Sequence, residues 1–214
     1  SDAIKVAEYA RDNDAFVVMG GPHATVLPET VIDHVDAVVV GEGEYTFTEI
    51  VKRFGSDSLE SIEGAWFKRN GNIRKNTGRI GANGTLDAYP FPAFDLLDMD
   101  KYTESWSYLD SVDTGLKGTT MITSRGCPFK CTYCQPTLDN IFGKELLHRS
   151  PGNVVDEMRV LKETYNIDGI FFHDDTLTVD KKWLAEFCHT LENERLGLLW
   201  GCNSRINTVN GETM

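Results

Sequence analysis

The sequence predicts an α/β protein made of two α/β segments joined by an irregular linker. Three observations lead to this prediction. Continuous apolar runs of strand length, AFVVM at 15–19 and AVVV at 37–40, alternate with helical periodicity within residues 1–55. A second alternation of strands and helices fills residues 119–214, and a stretch rich in turn signals separates the two. Such alternation favours parallel sheets covered by helices on both faces.

The front segment, residues 1–55, is predicted to be the later part of a doubly wound, Rossmann-like sheet. Helices are expected over about 3–12, 28–35 and 44–54, around the two apolar strands. Two strands are too few to complete such a sheet. The chain also does not begin with Met. We therefore expect it to be a piece of a longer protein.

Both front strands run into glycine-containing turns, MGGPHAT and VGEGEYT. Ligands of open parallel sheets gather at the carboxyl ends of the strands, where glycine lets the backbone approach closely. The turns are thus candidate binding elements, although each can equally be an ordinary tight βα turn. The two glutamates argue against a phosphate lying directly on them. The candidate residues are Gly20, Gly21, Pro22, His23, Gly41, Glu42, Gly43 and Glu44.

Residues 56–118 are predicted to form a linker that contains a β-hairpin. Asn70-Gly71, between two stretches of β character, is a strong signal for a type I′ turn. The stretch YPFPAFDLLDMDKY carries prolines and aromatics. We expect it to pack over a neighbouring element instead of forming regular structure.

The last segment, residues 119–214, is predicted to have a β-loop-α-β-α-β order. Right-handed crossovers make its three strands parallel, so the loops that follow them share one rim. Three strands cannot close a TIM-type barrel, and an unpaired strand edge would favour self-association. The predicted strands are 119–123, 169–173 and 198–202, and the predicted helices are 150–166, capped by Ser150, and 180–197, capped by Asp180 and ended by Gly197.

A cluster of three cysteines, Cys127, Cys131 and Cys134, lies in the loop after the first of these strands. Four-thiolate zinc sites usually use separated C-x₂₋₄-C pairs, and ferredoxin clusters need four cysteines. A [4Fe–4S] cluster held by three thiolates leaves one iron open to a further ligand. A zinc site is a second possibility and cysteines that bind no metal are a third. The candidates to complete a zinc site are His148, Cys202 and His173.

Composition excludes some function classes. The formal net charge is −12, from 33 acidic and 21 basic residues, which disfavours a nucleic-acid or anionic-membrane surface. The sequence contains no run of 18 apolar residues, so it predicts no membrane span. An odd number of cysteines with three clustered is typical of a metal or redox site in a reducing compartment. We therefore expect a cytoplasmic protein.

The cysteine loop resembles that of the radical S-adenosylmethionine (SAM) superfamily. The family's C-x₃-C-x-Φ-C pattern, where Φ is aromatic, is matched by CPFKCTYC after a predicted strand. The resemblance implies that Cys127, Cys131 and Cys134 hold a [4Fe–4S] cluster whose open iron chelates SAM, and that Tyr133 packs near the adenine. It also implies that an external electron donor reduces the cluster, that SAM is cleaved to a 5′-deoxyadenosyl radical, and that the radical takes hydrogen from a small-molecule substrate.

Two further stretches have counterparts in this family. FFHDDTLT stands where the family usually has GGE and resembles a variant found in members with an N-terminal cobalamin-binding domain. Asp174 and Asp175 are therefore candidates to accept hydrogen bonds from the SAM ammonium group, or else to cap the next helix or pair with nearby lysines. In CNSRIN, Ser204 and Arg205 are candidates to meet the SAM carboxylate or ribose. A structural salt bridge is the alternative for Arg205.

The subgroup resemblance also covers the front segment and the linker. It implies that the GGPHAT and GEGE turns line the face that holds cobalamin. It does not make His23 the cobalt ligand, since a D-x-H-x-x-G loop would precede Ser1. Members include anaerobic magnesium-protoporphyrin monomethyl ester cyclases and methyltransferases. We expect a cobalamin-dependent radical SAM enzyme of one of these types, poorly active as this piece alone. The alternatives are a corrinoid-binding or nucleotide-binding electron-transfer or sensing module, and a zinc-stabilised interaction domain.

Overall fold

The computed structural model describes residues 1–55, 59–76, 85–103, 115–132, 134 and 145–211. The chain divides into two compact units. The first unit comprises Ser1–Gly81 with Pro128–Glu145, and the second comprises Ala82–Cys127 with Leu146–Met214. Among the described residues, the first unit contains a four-stranded sheet, and the second contains a three-stranded sheet and a two-stranded ladder.

The first unit contains a four-stranded sheet with the strand order β1-β2-β3-β4. Strands β1 and β2 are parallel, as predicted, whereas β3 and β4 are antiparallel additions. In chain order the elements are α1 (Asp2–Asp12), β1 (Val18–Met19), α2 (Pro22–Val26), β2 (Ala37–Val39), α3 (Gly43–Lys52), β3 (Ala65–Arg69) and β4 (Asn72–Lys75).

The predicted hairpin is present and extends the front sheet. Asn70 and Gly71 have φ values of 51° and 76°, as a type I′ turn requires. Strand β3 pairs with β2 in the register Val38↔Trp66. The first sheet therefore continues past residue 55, the end of the front domain predicted from the sequence.

The helix expected at 28–35 is not formed. The structure has α2 at Pro22–Val26, followed by a single 3₁₀ turn at Pro28–Thr30. Pro22 occupies the first helical position, where its missing N–H costs nothing. Leu27 has φ −130° and ψ 56°, because a residue before proline is pushed out of the helical region. Pro28 therefore separates the two turns.

Helices and loops cover both faces of the first sheet. Val38 of β2 packs with Ala7, Ala24 and Ile32 on one face. Its neighbours in the same strand, Ala37 and Val39, pack on the other face with residues that include Ile50. This is the alternation that a strand buried on both sides requires.

The second unit contains the three parallel strands that the sequence predicts, in the order β5-β8-β9. A separate two-stranded ladder, β6 with β7, is antiparallel and was not predicted. In chain order the elements are α4 (Met99–Thr103), β5 (Gly118–Met121), β6 (Ser124–Arg125), β7 (Leu147–His148), α5 (Pro151–Tyr165), β8 (Gly169–Phe172), α6 (Lys181–Glu194) and β9 (Leu199–Cys202).

The two long helices of the second unit begin at the predicted caps. The Ser150 hydroxyl accepts a hydrogen bond from the Asn153 N–H at 3.3 Å. The Asp180 carboxylate accepts bonds from the N–H groups of Lys182 and Trp183 at 2.9 and 3.0 Å. Each cap satisfies backbone donors that a helix start leaves open. Helix α6 ends at Glu194, earlier than predicted.

The core of the second unit lies between the parallel sheet and helices α5 and α6. Phe172 of β8 and Phe187 of α6 are completely buried, and their rings meet edge to face at 5.6 Å. Met158 and Leu161 of α5 are also completely buried. These helix residues follow the apolar spacing from which the helices were predicted.

The linker aromatics pack on neighbouring residues, as expected, and two of their contacts are with arginines. Tyr89 lies 4.9 Å from the guanidinium of Arg125, and Phe91 lies 5.5 Å from that of Arg149. Both distances are within the range of a cation–π contact. This part of the linker forms isolated turns of 3₁₀ helix at Leu86–Ala88 and Phe94–Leu96. Its end forms the short helix α4, which was not expected from the sequence.

Candidate functional site

The glycine turns of the first unit are brought together at the ends of β1 and β2. Gly21 and Gly41 both have φ of +93°, a conformation that residues with a side chain rarely adopt. The Gly41 N–H donates to the Thr25 hydroxyl at 3.1 Å, which ties the second turn to the first. A Cβ at either glycine would meet no atom within 4 Å. These two glycines are therefore not required by tight packing of neighbouring atoms, and the space next to each of them is open.

The polar residues of these turns have different environments. Gly20, Pro22, His23 and Glu44 are exposed, and the His23 imidazole hydrogen-bonds the Thr30 hydroxyl at 3.0 Å. Glu42, by contrast, is only 4% exposed. Gly43 begins α3 directly after it. The surface that the turns offer is mainly backbone, edged by one histidine and one exposed carboxylate.

Asp174 follows β8, and its carboxylate forms hydrogen bonds with other residues of the second unit. Its side chain is 1% exposed. The carboxylate accepts bonds from the Thr123 N–H at 3.1 Å, from the Thr123 hydroxyl at 2.8 Å, and from the Ser124 hydroxyl. The sequence predicted a ligand or helix-cap role for this residue and missed these partners. The only signal was a Thr-Ser pair at the end of the predicted strand, Thr123 as its last residue and Ser124 after it.

Asp175 differs from its neighbour in exposure and in partners. It is exposed, and no hydrogen bond or ion pair joins its carboxylate to another described residue. Nearby packing and the charge of Asp174 raise the pKa of its carboxyl group. The helix cap that was an alternative role for the pair is supplied by Asp180. Asp175 can therefore interact with an incoming cation, whereas Asp174 is already surrounded by donors.

The loop after β9 is held by a cluster of hydroxyl groups. The Thr178 hydroxyl lies 2.5 Å from that of Ser204 and 2.6 Å from that of Thr208. The Arg205 carbonyl accepts bonds from the Thr208 N–H at 3.0 Å and from its hydroxyl at 2.8 Å. The Leu177 N–H donates to the Asn203 carbonyl at 3.2 Å. Ser204 and Arg205 thus belong to the same rim as Asp175, as the predicted strand order required.

The three cysteines of the motif are free thiols at or near the surface. Cys127 and Cys131 are partly exposed and Cys134 is exposed. The Cys134 N–H donates to the Cys131 carbonyl at 3.0 Å, so these two lie on one tight turn. Accessible, unpaired thiols are the donors that an iron–sulfur cluster uses. Tyr133 lies outside the described residues.

The described residues do not display an assembled metal site. Among them, no three His, Cys, Asp or Glu side chains are grouped closely enough to hold a metal ion. The cysteines therefore fit a cluster by the chemistry and spacing of their donors, and the assignment depends on the motif.

The two remaining cysteines are poor metal ligands. Burial, with smaller effects from Asp174 and Cys188, raises the pKa of Cys202 to about 11. Burial also raises the pKa of Cys188. Metals bind the thiolate, and a raised pKa keeps each group protonated at neutral pH. This disfavours Cys202 as the residue that completes a zinc site.

His148, a second candidate for that zinc site, lies in β7 and is partly buried. Neither of its ring nitrogens is accessible to solvent or hydrogen-bonded to another described residue. The ring stacks on Trp183 at 5.1 Å, and burial lowers the pKa of the imidazole. It serves as a packed neutral ring. His173, the third candidate, directly follows β8, and its backbone N–H donates to the Met121 carbonyl at 2.8 Å.

A cavity of about 440 Å³ lies along the edge strand β5 in the second unit. The linker residues Tyr89 and Pro92 form one wall, and Thr120, Ile122 and His173 are among the residues of the other. The volume falls in the range of small-molecule pockets. The linker therefore helps to shape a space beside the strand that leads into the cysteine motif.

No helix among the described residues is long and apolar enough to cross a membrane.

Comparison with known families and proteins identifies both parts of the chain. Residues 2–69 match a family model described as radical SAM proteins, N-terminal, and residues 121–213 match the radical SAM superfamily model. The chain is 39% identical to an uncharacterized methyltransferase of Pyrococcus horikoshii, over 98% of this chain and 44% of that protein. It is 31% identical to cytidylyl-2-hydroxyethylphosphonate methyltransferase of Streptomyces wedmorensis, over 87% of this chain and 39% of that protein.

Other relatives extend the same pattern. The anaerobic magnesium-protoporphyrin IX monomethyl ester cyclase of Rubrivivax gelatinosus is 27% identical over 92% of this chain and 35% of that protein. The chain thus spans less than half the length of these curated relatives.

A solved structure shows the same fold. The cobalamin-dependent S-adenosylmethionine radical enzyme OxsB, with aqua-cobalamin bound, superposes with a TM-score of 0.69 at 15% identity, over 99% of this chain and 30% of that one. The described architecture is a mixed α/β fold of the kind seen in that enzyme. With a family model matched in each part and relatives that are methyltransferases and cyclases, the chain belongs to the radical SAM superfamily.

Proposed function

We propose that this chain is the cobalamin-side and cysteine-loop portion of a radical SAM enzyme, a methyltransferase or a cyclase that acts on a small molecule. The observation that carries the proposal is the CPFKCTYC motif, which follows strand β6 within the residues that match the radical SAM family model. All three of its thiols are free. The donor chemistry supports a [4Fe–4S] cluster held by Cys127, Cys131 and Cys134. Once reduced by an external donor, the cluster supplies the electron that cleaves SAM.

Different residues on the rim of the second unit are proposed to bind different parts of SAM. Asp175 is exposed and has no partner among the described side chains, so it is placed to accept the ammonium group of SAM. Ser204 and Arg205 lie after the next strand in the same sheet and are proposed to meet the carboxylate or the ribose. Tyr133 is proposed to pack near the adenine.

The glycine turns of the first unit are proposed to meet cobalamin. Their support is the pair of turns tied together by the Gly41-to-Thr25 hydrogen bond, where a Cβ at Gly21 or Gly41 would meet no described atom within 4 Å. Backbone of this kind can approach a large planar ligand closely. The neighbouring Gly20, Pro22, His23, Gly43 and Glu44 would edge the contact, and Glu42 would support it from below. A cytoplasmic location, where thiolates stay reduced, belongs to the same proposal.

The cluster assignment is tested by anaerobic reconstitution with iron and sulfide. Replacing Cys127, Cys131 or Cys134 by Ala should abolish the cluster, measured as bound iron and sulfide and by absorbance. Cys188→Ala is the matched control and should retain it, because the Cys188 thiol is packed among core residues. Equal loss in the control, or full retention in any motif variant, would refute the assignment.

The experiment that determines the reaction type uses the full-length protein. Incubated anaerobically with SAM, a reductant and cobalamin, it should release 5′-deoxyadenosine. Substantial S-adenosylhomocysteine beside it would indicate methyl transfer, whereas its absence would favour cyclisation or other hydrogen-atom chemistry. If neither product is released, the proposed activity is refuted.

A further inference from the structure

The neighbouring acidic residues after β8 have opposite surroundings, and this difference bears on the cysteine loop. Asp174 is 1% exposed and accepts hydrogen bonds from Thr123 and Ser124, which lie two and three positions after the end of β5. Thr123 is completely buried and Ser124 is 6% exposed. A buried carboxylate is costly unless donors surround it, so this arrangement strongly restrains the backbone at Thr123 and Ser124.

The restrained residues lie directly before the motif. Ser124 is three positions before Cys127, and together with Arg125 it forms β6. β6 pairs with β7 in the register Ser124↔His148, so the ladder joins the two ends of the segment that carries all three cysteines. The position of that ladder therefore sets where the cysteine segment begins and ends.

Other contacts hold the same junction. The Arg149 N–H donates to the Thr123 carbonyl at 2.8 Å, and the Trp183 indole donates to the Arg149 carbonyl at 2.7 Å. The Arg149 guanidinium also donates to the Ile122 carbonyl at 3.1 Å and pairs with the buried Glu157. Asp174 is the member of this set that comes from the end of β8, next to Asp175.

We propose that Asp174 is a positioning residue: its carboxylate fixes the Thr123–Ser124 junction at the base of the cysteine segment, while Asp175 alone is left to meet a ligand. The part of this inference that concerns cluster binding depends on the proposed function. The part that concerns the junction depends only on the hydrogen bonds of the protein. Asp174 would thus couple the strand that carries the ligand-facing carboxylate to the segment that carries the thiols.

The test compares Asp174→Asn with Asp175→Asn in the metal-free and reconstituted protein. Asn preserves size but removes the charge and turns a donor toward the Thr123 N–H. We expect the Thr123 amide of metal-free Asp174→Asn to exchange with solvent about tenfold faster or more. After reconstitution, this variant should bind incomplete iron and sulfide and give a broadened electron paramagnetic resonance spectrum.

Asp175→Asn is the matched control for the junction. It should retain wild-type amide exchange at Thr123 and wild-type iron content, but lose the spectral change that SAM causes in the reduced protein. A partial version, Ser124→Ala, removes one donor and leaves Asp174 in place. Its amide exchange at Thr123 should fall between wild type and Asp174→Asn, which covers the case in which Asp174→Asn does not fold.

The outcomes separate the two proposals. Unchanged Thr123 exchange in both Asp174→Asn and Ser124→Ala, or the same spectral loss in Asp174→Asn and Asp175→Asn with full iron, would overturn the positioning role. If the wild-type protein binds no cluster at all, the proposed function fails, and the amide exchange still decides whether Asp174 holds the junction.

Discussion

The strand ends of the two units are built in different ways. In the first unit, β1 and β2 end in glycine turns with positive φ, and a single backbone-to-hydroxyl bond, Gly41 to Thr25, joins them. In the second unit, the ends of β5 and β8 are joined by a buried carboxylate surrounded by hydroxyl and amide donors. The first surface exposes backbone, whereas the second is stabilised by side chains.

This difference shows that the ends of parallel strands can be built either to leave open space or to restrain the chain. Glycine turns leave room for a large ligand to contact the backbone, but they restrain the local backbone conformation only weakly. A buried network restrains the chain strongly, because leaving any member without its partner is costly. The first kind of strand end is suited to a broad contact, and the second to holding a segment such as the cysteine loop in place.

The largest expected effect tests whether the units are energetically separate. Phe187→Ala removes a completely buried ring from the second core and should lower its free energy of unfolding by about 3–5 kcal/mol. Chemical denaturation, followed by hydrogen exchange of separate peptides, should place the loss in β8 and α6. Phe47→Ala, at a 49% exposed position of α3, should change stability by less than about 0.5 kcal/mol. Equal loss of protection in β2 would show that the units unfold together.

The next effect concerns the glycines of the first unit. Gly64 has φ of +74°, and a Cβ there would lie 3.0 Å from the Thr46 hydroxyl and 3.1 Å from the Val40 carbonyl. Gly64→Ala combines an unfavourable φ with overpacking and should cost about 2–4 kcal/mol. Gly41→Ala, which has open space around it, should cost only about 1–2 kcal/mol. Similar thermal shifts for both variants would contradict the distinction between a packed glycine and an open one.

A smaller effect is expected at a helix start of the second unit. Asp180→Ala removes two hydrogen bonds to the first turn of α6 and should lower the free energy of unfolding by about 1 kcal/mol. Asp156→Ala, an exposed aspartate on α5, is the control and should stay within about 0.5 kcal/mol of wild type. A control that loses as much as Asp180→Ala would refute the capping contribution.

The smallest effect is a change in pH dependence at His148. Burial lowers the pKa of this imidazole, so the unfolded chain takes up its proton at a higher pH than the folded protein does. Its contribution therefore weakens the fold as the pH falls below the ordinary histidine value of about 6.5. His148→Phe preserves the stacking on Trp183 and should flatten the slope of stability against pH in this window. His189→Phe, at an exposed position, leaves His148 in place and should retain most of the wild-type slope.

Local sequence patterns predicted most of the elements correctly. The apolar spacing of α5 and α6, their caps Ser150 and Asp180, and the Asn70-Gly71 hairpin all depend on contacts within a few residues. The helix expected at 28–35 was wrong, since only the 3₁₀ turn Pro28–Thr30 forms there. Pro28 separates this turn from α2, because it pushes Leu27 out of the helical region.

The candidate site was predictable to different degrees. The cysteine spacing, the acidic pair and the glycine turns can be read along the chain, and they led to the family that the comparisons show. The different surroundings of Asp174 and Asp175 could not be read in this way. The two residues are adjacent and chemically identical, and strand alternation alone does not say which one meets Thr123, 51 positions away.

The family of this protein was therefore predictable from residue types and their spacing, because a motif such as CPFKCTYC places its three cysteines within one short loop. The division of labour between neighbouring residues came from long-range packing. Asp174 is enclosed because β5 and β8 run side by side and bring Thr123 and Ser124 to its carboxylate. Burial, and with it the difference between a residue that supports the loop and one that faces a ligand, exists only once distant strands have paired.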